Sequence, residues 1–105
     1  MPFASDYQRE IHFKKHGHEF NSANALDYEA LADAFMFGPM TLVTRECFRK
    51  NLVDRLRYNL LKRDFGAASI EPEFVKTFYQ VPLHTVNYHG GGAAYFAYEC
   101  GRRDT

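Results

Sequence analysis

The sequence predicts an α+β fold in which two N-terminal helices pack on a four-stranded antiparallel sheet. Three observations predict it. Helical periodicity with capping residues is confined to the part before Gly38-Pro39. After that point the apolar period changes from helical to two. The segments that alternate are joined by turns too short for crossover helices, which makes them a meander.

Ser5 opens the first helix, because Ser5 and Gln8 have capping-box spacing and Asp6 places an acid in the first turn. The helix is expected from Asp6 to His16, with Gly17 as a left-handed stop. Tyr7 and Ile11 form a short apolar stripe, whereas Arg9, His12 and His16 share a different face bordered by Phe13. Asn24 or Asp27 caps a second helix that runs through Met36, with Tyr28, Leu31, Ala32 and Phe35 at helical spacing. Gly38-Pro39 ends it.

Strands are expected over Thr41–Phe48, Asp54–Leu60, Phe65–Ile70 and Phe74–Val81. The second alternates cleanly, with Leu56, Tyr58 and Leu60 on one face and Arg55, Arg57 and Asn59 on the other. In the fourth, Val75, Thr77 and Tyr79 oppose Lys76 and Phe78. Lys62-Arg63-Asp64 and Glu71-Pro72-Glu73 read as turns. Helices are expected on one sheet face, leaving the face with Arg57 open to a ligand. His89-Gly90-Gly91-Gly92 reads as a flexible joint, and Ala93 to Cys100 fits either a strand or a short helix.

With 105 residues, 46% of them apolar, and with ten Phe and seven Tyr, the chain is expected to form a single domain, residues 1–105, around one core. The formal net charge is zero, which argues against a broad phosphate-binding footprint but allows a small basic site. Basic residues gather between Arg45 and Arg63. Cys47 and Cys100 lack the close spacing of a zinc site or redox pair, so two free, partly buried thiols are expected, with a single bridge as the alternative. The first ten residues show no basic region followed by an apolar run, so neither a signal peptide nor a membrane span is expected.

The chemistry-bearing residues concentrate in His12-Phe13-Lys14-Lys15-His16-Gly17-His18-Glu19-Phe20. Two imidazoles one helical turn apart suit general acid–base work near neutral pH. Lys15 beside them can bind a phosphate or disfavour a protonated neighbour. The plainer reading is a pair of surface histidines without chemistry. A zinc site using His12, His16 and His18 is a further reading, but no third ligand is obvious and neither metal nor cofactor is expected. Arg57, in mid-strand, suits bidentate phosphate binding, or is simply a solvated arginine. Arg45 and Arg55 are weaker candidates of the same kind. The Thr77 hydroxyl can donate to a phosphate oxygen, and Tyr58 and Tyr79 can stack on a base unless they belong to the core. No nucleophile elbow, Walker loop or dinucleotide fingerprint is present.

In order along the chain, His12-Phe13, Lys15-His16-Gly17, Glu19-Phe20, Tyr28-Glu29 with Ala32 and Phe35, Arg57-Tyr58-Asn59, Phe65-Gly66 and Lys76-Thr77-Phe78-Tyr79 resemble the barnase–EndoU–colicin–RelE-like (BECR) superfamily of metal-independent ribonucleases, in its toxin and phage-associated branches. The likeness covers roughly residues 9 to 82. The usual glycine before Lys-Thr-Phe is replaced here by Glu-Pro-Glu-Phe. The resemblance implies an endoribonuclease with a 2′,3′-cyclic phosphate product, and sites at His12, Lys15 or His16, Arg57 and Thr77. It also implies an RNA partner (tRNA or mRNA), an immunity protein or antitoxin, and action in the cytoplasm, either of the producing cell or of a target cell. The alternative is a non-catalytic binding module that keeps the same fold.

Overall fold

The computed structural model describes residues 3–50 and 52–102. Helix α1 spans Asp6–His16, and α2 spans Ala25–Phe37. Both begin where capping chemistry places them. Ser5 Oγ accepts from the Gln8 N–H at 3.1 Å. Asn24 is the cap of α2, its Oδ1 accepting from Asp27 N at 2.8 Å while Asp27 Oδ2 accepts from Ala23 N at 3.0 Å.

Gly17 does not act as a left-handed stop. It keeps a right-handed helical backbone, and the chain tightens into a 3₁₀ turn over Gly17–Phe20. The left-handed residue is Asn21, at φ 54°. Gly17 serves close approach instead, since a Cβ there would lie 2.4 Å from the Phe13 ring. The expected Tyr7–Ile11 stripe also fails, for Tyr7 is 71% exposed. Helix α1 packs through the opposite side, with Phe13 against the core. In α2 the buried positions are Tyr28, Ala32 and Met36, four apart, while Leu31 lies at the surface.

Strands β1 (Thr44–Phe48), β2 (Asp54–Asn59), β3 (Asp64–Ile70) and β4 (Glu73–Gln80) form the expected antiparallel meander in the order β1-β2-β3-β4. Strand β1 starts three residues later than its composition suggests. Thr41 and Thr44 close a turn, with Thr44 N donating to Thr41 O at 3.2 Å and the two hydroxyls 2.8 Å apart. The strict alternation expected of β4 is broken. Ala67 pairs with Thr77 but Ala68 pairs with Val75, so Lys76 is bulged. Val75 and Phe78 therefore share one face, and Thr77 and Tyr79 the other.

Both faces of the sheet are covered. Met36, Tyr28 and Ala32 of α2 pack with Ala68, Val75, Phe78 and Phe3 in one core cluster. On the other face Leu56, Tyr58, Phe65, Ala67 and Val81 pack with Val86, Tyr95 and Phe96. Those last three belong to α3 (Leu83–Tyr88) and α4 (Gly92–Gly101), which settles the C-terminal segment as helical. The face with Arg57 is thus not open. It lies under α2, whose Met36 Sδ would be 2.4 Å from any Cβ at Gly66, the residue paired with Arg57.

Cys47 and Cys100 are not free thiols. They form a disulfide that ties β1 to the last turn of α4 across 53 residues of sequence. The covering of the sheet by α4 brings the two together, and neither residue's local sequence announces it. A second tie runs through Tyr95, whose hydroxyl donates to Glu99 Oε2 at 2.8 Å and lies 3.4 Å from the Tyr79 hydroxyl on β4. Among the described residues no helix is long and apolar enough to cross a membrane.

Candidate functional site

Helix α1 lies against β4, the edge of the sheet, and this contact positions the histidines. The His16 ring packs on Tyr79, centroids 5.3 Å apart, and the His12 ring stacks on Phe3 at 5.1 Å. The imidazole centroids of His12 and His16 are 6.4 Å apart. Both rings are half-buried, and Lys15 beside them is exposed.

The two rings sit in different electrostatic settings. His16 Nδ1 is 2.9 Å from Glu19 Oε2. The other oxygen of Glu19 accepts from the Gln80 N–H at 2.7 Å, so the carboxylate bridges the 3₁₀ turn and the outer edge of β4. Glu19 thereby fixes the ring of His16 and engages Nδ1 rather than Nε2. His12 Nδ1 is buried and makes no hydrogen bond among the described residues. Burial, then the neighbouring His16 and Lys15 charges, push the His12 pKa down from its ordinary 6.5, so it is neutral at pH 7.

The arginines expected at a phosphate are elsewhere. Arg57 is buried, its Nε donating to Glu46 Oε1 at 3.0 Å and its Nη1 to the carbonyls of Phe35 at 3.1 Å and Gly38 at 2.7 Å. Arg55 donates to Met36 O at 3.2 Å, pairs with Glu46 at 3.0 Å, and lies over the rings of Phe37 and Phe48. Together they satisfy carbonyls at the C-terminus of α2, where the helix leaves acceptors unpaired and its dipole favours cations. Arg57 is on β2 and reaches toward β1, while the histidines sit at β4 with β3 between. The resemblance implies Arg57 among the same site residues as the α1 histidines, but in the fold it is engaged with Glu46 and α2, two strands away from them.

Thr77 is half-buried on the same face of β4 as Tyr79, opposite to that of Arg57. Tyr58 is fully buried in the core and presents no ring to a base. Arg45 is exposed on β1, its Nη1 donating to Leu42 O at 3.1 Å. The structure thus brings together His12, Lys15, His16 and Tyr79 and separates them from Arg45, Arg55 and Arg57.

Glu19 is the site residue that sequence reasoning passed over, although its i+3 spacing from His16 was visible. Glu19 also lines a cleft of about 660 Å³ between the 3₁₀ turn, α2 and the β2–β3 turn. Among the described residues no group of three or more His, Cys, Asp or Glu is placed to hold a metal ion. In comparisons with protein-family models and with curated proteins, the chain matches none.

Proposed function

We propose that the protein is a metal-independent endoribonuclease whose chemistry is carried by His12 and His16, with Lys15 as the phosphate-binding cation. The observation that carries this reading is the pair of imidazoles 6.4 Å apart, one kept neutral by burial and the other held by a carboxylate. That spacing lets a phosphate sit between two groups that exchange protons with different oxygens of the same phosphorus. His12 takes the proton of the ribose 2′-hydroxyl. The 2′-oxygen attacks phosphorus, the bond to the 5′-oxygen breaks, and His16 protonates the leaving oxygen, giving a 2′,3′-cyclic phosphate. Lys15 meets the charge on the non-bridging oxygens in place of Arg57, whose hydrogen bonds are already used within the fold. Tyr79 supports the His16 ring, and Thr77 shares the face of Tyr79 on β4. The resemblance to toxin and phage-associated ribonucleases supports the same reading, with tRNA or mRNA as substrate and an immunity protein or antitoxin as partner.

The test is cleavage of single-stranded RNA by purified protein in EDTA. His12→Ala and His16→Ala are each expected to lose about 10²–10⁴-fold in rate while remaining folded. A 2′-deoxyribose at the scissile position should block the cut. Full activity of both variants ends the mechanism. Inactivity of the wild type on every RNA offered would favour a non-catalytic binding module of the same fold, a reading that the neutral net charge and the internally engaged Arg57 also suit.

A further inference from the structure

We propose that the cleft bordered by Glu19 is a nucleobase subsite, which takes the base of a nucleotide next to the bond cut between His12 and His16. The proposal rests on the RNA reading above, because the cleft adjoins that site through one side chain. One oxygen of Glu19 holds His16, and the same residue forms part of the cleft wall.

The cleft has the size and chemistry for a base. Its volume of about 660 Å³ falls within the range of small-ligand sites. One wall is aromatic, with Phe20 stacked on Phe78 at 4.1 Å and Phe35 at 5.3 Å from Phe78. Rings of this kind are the surfaces on which unpaired bases pack. Polar groups sit at its edge. Asn21 is exposed and its carboxamide makes no hydrogen bond among the described residues, so both its donor and its acceptor are available. Gln80 is anchored, its Nε2 donating to Lys62 O at 2.9 Å.

Two cations, Lys62 and Arg63, and two carboxylates, Glu19 and Asp64, line the cleft, so its formal charge is balanced and an anion is met at Lys62 rather than by the cleft as a whole. Both oxygens of Glu19 are engaged, with His16 and with the Gln80 N–H. The Lys62 ammonium, in contrast, is exposed and in no ion pair among the described residues. A nucleotide lying with its base against Phe20 and Phe35 would bring its phosphate to this ammonium. An apolar peptide side chain would fill the wall but leave Asn21 and Lys62 without partners.

The experiment is a titration of the full chain with adenosine 5′-monophosphate followed by amide NMR shifts, with ribose 5-phosphate and inorganic phosphate as separate probes. The nucleotide should move the amides of Asn21, Lys62 and Gln80, and ribose 5-phosphate should bind at least tenfold more weakly. Lys62→Glu and Asn21→Gly are each expected to weaken nucleotide binding several-fold; glycine keeps the left-handed backbone of position 21. In cleavage assays both variants should raise KM with little change in kcat. Equal binding of ribose 5-phosphate, or no shifts in the cleft at millimolar nucleotide, overturns the subsite. Shifts in the cleft of a protein that cuts no RNA would support the subsite and sink the cleavage reading. Cleavage unaffected by either variant, with a silent cleft, would do the reverse.

Discussion

At the scale of single residues, His12 and Arg57 show how burial decides a role. The His12 ring rests on Phe3 with its Nδ1 out of water, so its charged form is disfavoured. The folded pKa is lowered below 6.5, so the unfolded chain takes up a proton that the folded chain resists as pH drops through that value. Stability attributable to neutral His12 is therefore full above pH 6.5 and is lost below it. Urea titrations at several pH values should show this acid loss for the wild type and a shallower one for His12→Gln. The acidic limb of kcat/KM on RNA should fall below pH 6.5 for the same reason, and a limb above 7 would contradict it. Arg57 is the reverse case, a cation kept buried because Glu46 and two carbonyls surround it. Arg57→Met leaves the Phe35 and Gly38 carbonyls unpaired and removes one of the two arginines that hold Glu46, and is expected to cost about 3–5 kcal/mol, read from the urea midpoint. A fully stable but inactive Arg57→Met would restore it to the phosphate site.

At the scale of elements, the seating of α2 depends on Gly66. The helix comes so close to β3 that Met36, fully buried, occupies the space of a side chain at that position. Gly66→Ala should cost about 1–3 kcal/mol by overpacking, seen as a lowered denaturation midpoint. The same close approach delivers the C-terminal carbonyls of α2 to Arg55 and Arg57, so a helix end and two strand residues form one unit. At the other edge, α1 reaches β4 through aromatic rings. The Tyr28 hydroxyl crosses under it to donate to the Phe78 carbonyl.

At the scale of the whole molecule, helices sandwich the sheet and the disulfide holds the sandwich shut. Its ends are 53 residues apart in sequence, so loss of that closed loop in the reduced unfolded chain is worth about 4 kcal/mol on a chain-entropy model. Reduction, or paired Cys47→Ser and Cys100→Ser changes, should lower the denaturation midpoint by an amount of that order. The histidine pair sits on the other side of the sheet edge, away from β1, so RNA cleavage at temperatures where the reduced protein stays folded should persist. Loss of activity without loss of fold would tie α4 to the site directly.

Much of this architecture was legible in the residues. Ser5, Asn24 and Gly38-Pro39 mark the ends of α1 and α2 because capping and helix breaking are local chemistry. The meander follows from short turns and period-two segments. The histidine cluster was visible too, since one helical turn separates His12 from His16. What the linear order did not contain was which side of each element would find a partner. Alternation sorts Leu56 from Arg57 but does not say that helices cover both faces, and so a buried Arg57 looks the same in sequence as a solvated one. The bulge at Lys76, the bridge from Cys47 to Cys100 and the hold of Glu19 on both His16 and Gln80 all join residues through space. By itself the sequence determined the two N-terminal helices, the four strands and the residues able to exchange protons. Only the tertiary structure decided which of them meet, because burial and pairing are properties of neighbours brought close by packing rather than by the chain.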